Sequence, residues 1–136
     1  MDQKPFNLQG IIMDKSAAPT ILCIEDEQFI SDLYTRALSK AGYEVTVESD
    51  GVRGLELAKS NRFDIILLDL MVPNITGTEI LTALRAEVPD LKAKIIITTN
   101  LEQHEEVRGQ LERQADGYVI KANVTPRELT ELLQTL

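Results

Sequence analysis

A chain of 136 residues, 43% hydrophobic and 26% charged, has the length of one domain and can bury roughly two-thirds of its unfolded surface. Its net charge of −8 argues against direct binding to nucleic acid or an anionic membrane, because both need a basic face. No apolar run approaches the roughly 18 residues of a membrane span. A lone cysteine, Cys23, excludes an internal disulfide.

The first twenty residues lack a basic region followed by a hydrophobic stretch, so no secretion signal is expected and the cytoplasm is the natural location. Residues 1–19 read as a tail or extension, and Met13 opens "MDKSAAPT", a sensible alternative start. The apolar run 21–24 follows, short and without alternation, as suits a strand buried on both faces. Cys23 lies within it and reads as a small core residue. Phe29, Ile30, Leu33, Tyr34, Ala37, Leu38 and Ala41 recur at helical spacing. "YEVTVES", 43–49, alternates and predicts an edge strand. Asp50 then caps a short helix marked by Val52, Leu55 and Ala58.

"DIILLDLMVPN", 64–74, sets the apolar run 65–68 between two aspartates. "TGTE", 76–79, is a capping box ahead of Ile80, Leu81 and Leu84. After the run 95–97 come Thr98 and Thr99, then a thin stripe of Leu101, Val107, Leu111 and Ala115 on a charged helix. The run 118–120 leads into Lys121. "TPRE", 125–128, combines an N-cap, a first-turn proline and a box glutamate, with Leu129, Leu132, Leu133 and Leu136 following on one face. Five β-α repeats with no linker imply right-handed crossovers and a three-layer α/β/α sandwich over residues 20–136.

Each buried run ends in polar residues: Glu25, Asp26 and Glu27 after the first, Asp69 after the second, the threonines after the third, Lys121 after the fourth. In an open parallel sheet these carboxyl ends share one edge, where ligands bind. Taken singly, each has a plain reading. Asp26 or Glu27 favours a helix start, and Lys121 suits a solvated loop. Together they predict three carboxylates, a hydroxyl and an ammonium in one shallow cleft. Such crowded carboxylates repel one another, a hard divalent cation relieves them, and a partly hydrated all-oxygen site suits magnesium.

These segments resemble the receiver domain of response regulators, the phospho-accepting half of two-component signalling, from about Thr20 to the C-terminus. "ILCIEDE" resembles the family's first strand and acidic pair. "DIILLDLMVPNITG" resembles the phosphorylation loop, with Asp69 as acceptor, Pro73 four residues on and Gly77 eight on. "IIITTN" resembles the fourth strand, Thr99 aligning better than Thr98 with the switch hydroxyl. "ADGYVIK" resembles the fifth, with an aromatic switch, Tyr118, and a lysine, Lys121. The resemblance implies a flavodoxin-like parallel sheet of order 2-1-3-4-5. It implies Mg2+ held by Asp26, Asp69 and the Met71 backbone carbonyl, with Glu25 acting through water. Lys121 neutralises the phosphoryl oxygens, while Thr99 and Tyr118 couple the phosphoryl state to the fourth helix and fifth strand. It further implies a sensor histidine kinase or histidine phosphotransfer protein as donor and an effector protein downstream. A homodimer through the helix 4/strand 5/helix 5 face would also fit. The chain would be a phosphoacceptor that promotes its own phosphotransfer and dephosphorylation, not an enzyme on other substrates.

Two positions depart from the family pattern. Ala122 follows Lys121 where a cis-proline is usual, and the absence of an evident compensation favours a trans bond. Asn100 replaces the small residue usual after the switch threonine. Tyr118 also suits a half-buried core aromatic, and His104, within the charged run 102–106, reads as a surface residue. A flavodoxin would need a phosphate cradle where Glu25-Asp26-Glu27 stands. A haloacid-dehalogenase phosphatase would need an aspartate where Met71 stands. The remaining alternative is a degenerate receiver serving as a phosphorylation-independent docking module, which should have lost one of the acidic, threonine or lysine residues.

Overall fold

The computed structural model describes residues 18–100 and 105–136. Leu101, His104 and most of the N-terminal extension lie outside them. The elements alternate as β1 (Thr20–Ile24), α1 (Gln28–Lys40), β2 (Glu44–Glu48), α2 (Gly51–Lys59), β3 (Ile65–Asp69), α3 (Gly77–Glu87), β4 (Lys94–Thr99), α4 (Glu105–Gln114), β5 (Gly117–Ile120) and α5 (Pro126–Leu133). A single 3-10 turn, Lys121–Asn123, joins β5 to α5. All five strands are parallel, in the order β2-β1-β3-β4-β5. The implied order and sandwich are both found.

Strand parity builds the two cores. Leu22, Ile24, Ile66, Leu68, Ile95 and Ile97 point to one face, under Ala58 of α2, Ile80, Leu81 and Leu84 of α3 and Leu111 of α4. Their neighbours Ile21, Cys23, Ile65, Leu67 and Ile96 point to the other, under Tyr34 and Leu38 of α1 and Leu129 and Leu133 of α5. Successive side chains on a strand face opposite ways, so a continuous aliphatic run is what a doubly covered strand requires. Both predicted capping boxes form: Thr76 exchanges hydrogen bonds with Glu79, and Thr125 with Glu128, with Pro126 in the first turn. Asp50 caps α2 by accepting from the Arg53 N–H at 2.9 Å.

Some stripe residues fall elsewhere. Phe29 is 73% exposed, because it is the second residue of α1 and precedes the turns that cover the sheet. Leu136, past the end of α5, is exposed, and so is Leu132, which flanks the buried pair Leu129 and Leu133 within the helix. In α4, Leu111 is buried while Val107 faces out, and Ala115 lies just past the helix. The fifth strand is an edge strand and only Val119 of it is fully buried, so the expectation of burial on both faces fails there.

Candidate functional site

The order β2-β1-β3-β4-β5 sets β1, β3 and β4 side by side, with β5 outside β4. Their carboxyl ends therefore deliver Glu25, Asp26, Asp69, Thr99 and Lys121 to one edge. A cleft of about 510 Å³ opens there, lined by Asp26, Asp69, Met71, Thr99, Asn100 and Lys121 among others. Glu25, Asp69 and Thr99 are buried, whereas Asp26, Met71 and Asn100 are exposed.

Lys121 spans the cluster. Its Nζ lies 2.6 Å from Glu25 Oε1 and 3.1 Å from Asp69 Oδ2. Glu25 Oε2 accepts from the Glu27 N–H at 3.0 Å, and Asp69 Oδ1 from the Met71 N–H at 3.2 Å. Each oxygen of the two buried carboxylates thus has a donor, as buried charges require. Burial raises the Glu25 carboxyl above its ordinary range, against the hydrogen bond from Lys121 and with help from the Asp69 charge. Burial acts against the Lys121 charge too, but the hydrogen bond to Glu25 and the two carboxylate charges hold the ammonium above the usual lysine range. Behind them, burial pushes the Cys23 thiol up to about 12, the Glu25 charge adding to it. That thiol is a core group.

Asp69 also owes its position to the loop after it. The Gly77 N–H donates to Leu70 O at 3.0 Å, folding the start of α3 back onto the strand end. A Cβ at Gly77 would sit 2.3 Å from Asp69 O and 2.7 Å from Leu70 Cα, so only glycine permits this close approach. Thr99 lines the cleft with its neighbour Asn100. Half-buried Tyr118 packs against the core beneath α2, α3 and α4 and carries the Arg108 guanidinium 4.8 Å above its ring. Burial raises its hydroxyl pKa, against the Arg108 charge. Nothing in the sequence spacing pointed to Arg108, because a cation on a charged helix reads as solvated. There are no cis peptide bonds among the described residues, so Lys121–Ala122 is trans.

Oxygens of Glu25, Asp26 and Asp69 lie within 4.8 Å of one another. An all-carboxylate donor set, partly exposed through Asp26, fits a hard divalent cation that keeps some of its water. A strand-end aspartate beside a buried lysine, two further carboxylates and a hydroxyl, on a 2-1-3-4-5 sheet, defines a receiver-type protein.

The particular family follows from comparison with known proteins. The response regulator receiver domain profile matches residues 21–134, and this chain belongs to that family of two-component signalling proteins. The response regulator ArlR of Staphylococcus saprophyticus is 42% identical over 113 residues, which are 83% of this chain and 48% of ArlR. ArlR of Staphylococcus aureus strain Mu50 is 38% identical over the same length. The chain spans about half the length of these curated relatives. Among solved structures, a CheY-like receiver from Methanospirillum hungatei superimposes with a TM-score of 0.76 at 30% identity, covering 87% of this chain and 92% of that one. TrrA of Thermotoga maritima, solved in complex with Mg(2+)-BeF, gives 0.72 at 31% identity, covering 86% and 97%.

Proposed function

We propose that this chain accepts a phosphoryl group on Asp69 with Mg2+ and uses that event to change a partner-binding surface. The observation that carries the reading is Lys121, a buried ammonium bridging Glu25 and Asp69 with Asp26 alongside. A degenerate docking module would have no reason to keep this set of mutually repelling carboxylates together around one cation.

In the reaction a carboxylate oxygen of Asp69 attacks phosphorus, and the bond from phosphorus to the donor breaks. The leaving group keeps that electron pair and an acyl phosphate forms. Lys121 offsets charge on the transferring oxygens from a fixed position, so little reorganisation is needed. Asp26, Asp69 and the Met71 carbonyl would hold the magnesium, which supplies further charge neutralisation. Glu25 would act on the magnesium through a bound water while its own oxygen holds Lys121. Thr99, at the end of β4, would donate to a phosphoryl oxygen, and Tyr118, on the neighbouring strand β5, would answer its movement. Arg108 would move with that ring, passing the change to α4. The donor is a sensor histidine kinase or histidine phosphotransfer protein, and the reader an effector protein or a second copy docking on the α4/β5/α5 face. Hydrolysis of the acyl phosphate at the same site returns the chain to its resting state.

The test is a phosphate-retarding gel after incubation with a small-molecule phosphodonor. Wild-type protein should shift only with magnesium, and Asp69→Ala should not shift while keeping its far-UV circular dichroism. Undiminished labelling of that variant would overturn the assignment.

A further inference from the structure

The segment between β3 and α3 must hold its backbone still if the Met71 carbonyl is to serve the metal. Its base is closed by Gly77 N–H to Leu70 O, and its first residues are steadied by Met71 N–H to Asp69 Oδ1. The exposed far end is held differently, by the N-terminus of α2. The Gly51 N–H donates to Pro73 O at 3.0 Å, and the Asn74 amide Nδ2 donates to Asp50 Oδ1. Asp50 Oδ2 meanwhile accepts from the Arg53 N–H at 2.9 Å, so one carboxylate caps a helix and holds a loop. These bonds, the backbone one first, hold the Asp50 carboxyl below its usual range.

Two backbone features show that this contact is built in. Asn74 has φ of 77°, a left-handed conformation that asparagine tolerates better than most residues. At Gly51 a Cβ would meet Ile75 Cγ2 and Ile75 O at 2.6 Å, so the loop rests directly on the first residue of α2.

We propose that the Asp50–Asn74 hydrogen bond is a positioning latch that presents the Met71 carbonyl to magnesium. Asp50 and Asn74 do not line the cleft; they act through the loop. The latch rests on the phospho-acceptor reading above. Partners that orient a metal's ligands typically change affinity by about 10–100-fold when lost, and an exposed pair belongs at the lower end, about tenfold.

Three variants test it: Asn74→Gly, which removes the amide and tolerates the left-handed backbone, Asp50→Ser and the double variant. Serine keeps an N-cap acceptor for the Arg53 N–H but is too short to reach Asn74. Magnesium affinity is read by isothermal titration, and phosphate incorporation from a small phosphodonor is followed against magnesium concentration. Each single variant should raise the magnesium dissociation constant and the half-saturating magnesium concentration about tenfold. The rate at saturating magnesium and the metal-free melting temperature should stay at wild-type values. The double variant should be no worse than either single one, because both remove one contact. Magnesium affinity within twofold of wild type in Asn74→Gly, additive losses, or a clearly lowered metal-free melting temperature would each overturn the latch. A wild-type protein that takes up neither magnesium nor phosphate would overturn the phospho-acceptor reading and the latch with it.

Discussion

Two aspartates bracket the same strand, and the chain uses them in opposite ways. At the amino edge, Asp64 Oδ2 accepts from the Thr20 N–H at 2.8 Å and the Thr20 hydroxyl at 3.2 Å, with Lys92 nearby. Asp116 on the same edge accepts from the Ile95 N–H at 2.8 Å and pairs with Arg85. These carboxylates close the sheet's own open donors. At the carboxyl edge, Asp69 is packed among Glu25 and Asp26, with one shared ammonium for internal relief. One edge spends its acids on stability, and the other keeps negative charge concentrated beside an open cleft. Residue type does not separate them; what each acid faces does.

The sharpest way to break this comparison is Lys121→Ala. Removing one partner of a buried charge cluster leaves the others uncompensated, at a cost of about 3 kcal/mol in metal-free protein. Magnesium should restore part of that loss, since it binds only the folded site. Urea unfolding with chelator and with magnesium measures both, and an unchanged midpoint in chelator would show that Glu25 and Asp69 need no internal cation. Asp116→Ala comes next. It strips the acceptor from the N–H of buried Ile95 and the partner from Arg85, costing about 2 kcal/mol. Magnesium should not recover this loss, because the site lies at the opposite edge. Equal recovery in both variants would erase the distinction between the edges.

A smaller effect at Asp64 sharpens the comparison through pH. Its carboxyl is held below the ordinary 3.8, first by the Thr20 N–H, with the Thr20 hydroxyl and Lys92 assisting. A depressed folded value means that the contribution is complete above the unfolded value and lost as pH falls through the folded one. Asp64→Ala should therefore cost about 1 kcal/mol or less at pH 7, the carboxylate being partly solvated. The gap should close as pH drops below 3.8. Paired melts at pH 7 and pH 3 check it. A gap that has not narrowed at all at pH 3 would assign the loss to packing.

Most of the architecture was legible because strand burial is a local signal. Residues 65–68 are aliphatic without alternation, and each of them is buried. Helix ends were legible for the same reason, since Thr76–Glu79 and Thr125–Glu128 make their bonds three residues apart. The gathering of Glu25, Asp26, Asp69 and Lys121 followed from topology, which sends every strand's carboxyl end to one edge. Phe29 misled because helical spacing says which residues share a stripe, not where the sheet beneath it stops; Leu132 misled because it sits at the margin of the stripe that Leu129 and Leu133 bury. Two pairings had no sequence signal at all. Arg108 with Tyr118 and Asp50 with Asn74 join segments whose approach depends on the finished fold, 10 and 24 residues apart.

The smallest expected effect is also the one whose sign is most informative. Asp26 is exposed at the cleft mouth, within 4.8 Å of the oxygens of Glu25 and Asp69. Lys121 bonds those two carboxylates and not Asp26, so Asp26 contributes repulsion without a matching ion pair in that cluster. Asn at this position keeps the shape and removes the charge. Asp26→Asn should therefore leave the metal-free melting temperature unchanged or raise it by about 1–3 °C, while magnesium stabilises the variant less than it stabilises wild type. At high salt the difference should shrink, because an exposed charge is screened. Differential scanning calorimetry in chelator and in magnesium, each at two salt concentrations, reads all three. A clear fall in chelator would place Asp26 with Asp64 and Asp116 among the acids that hold the fold, and the division between the two edges would then end at Asp69.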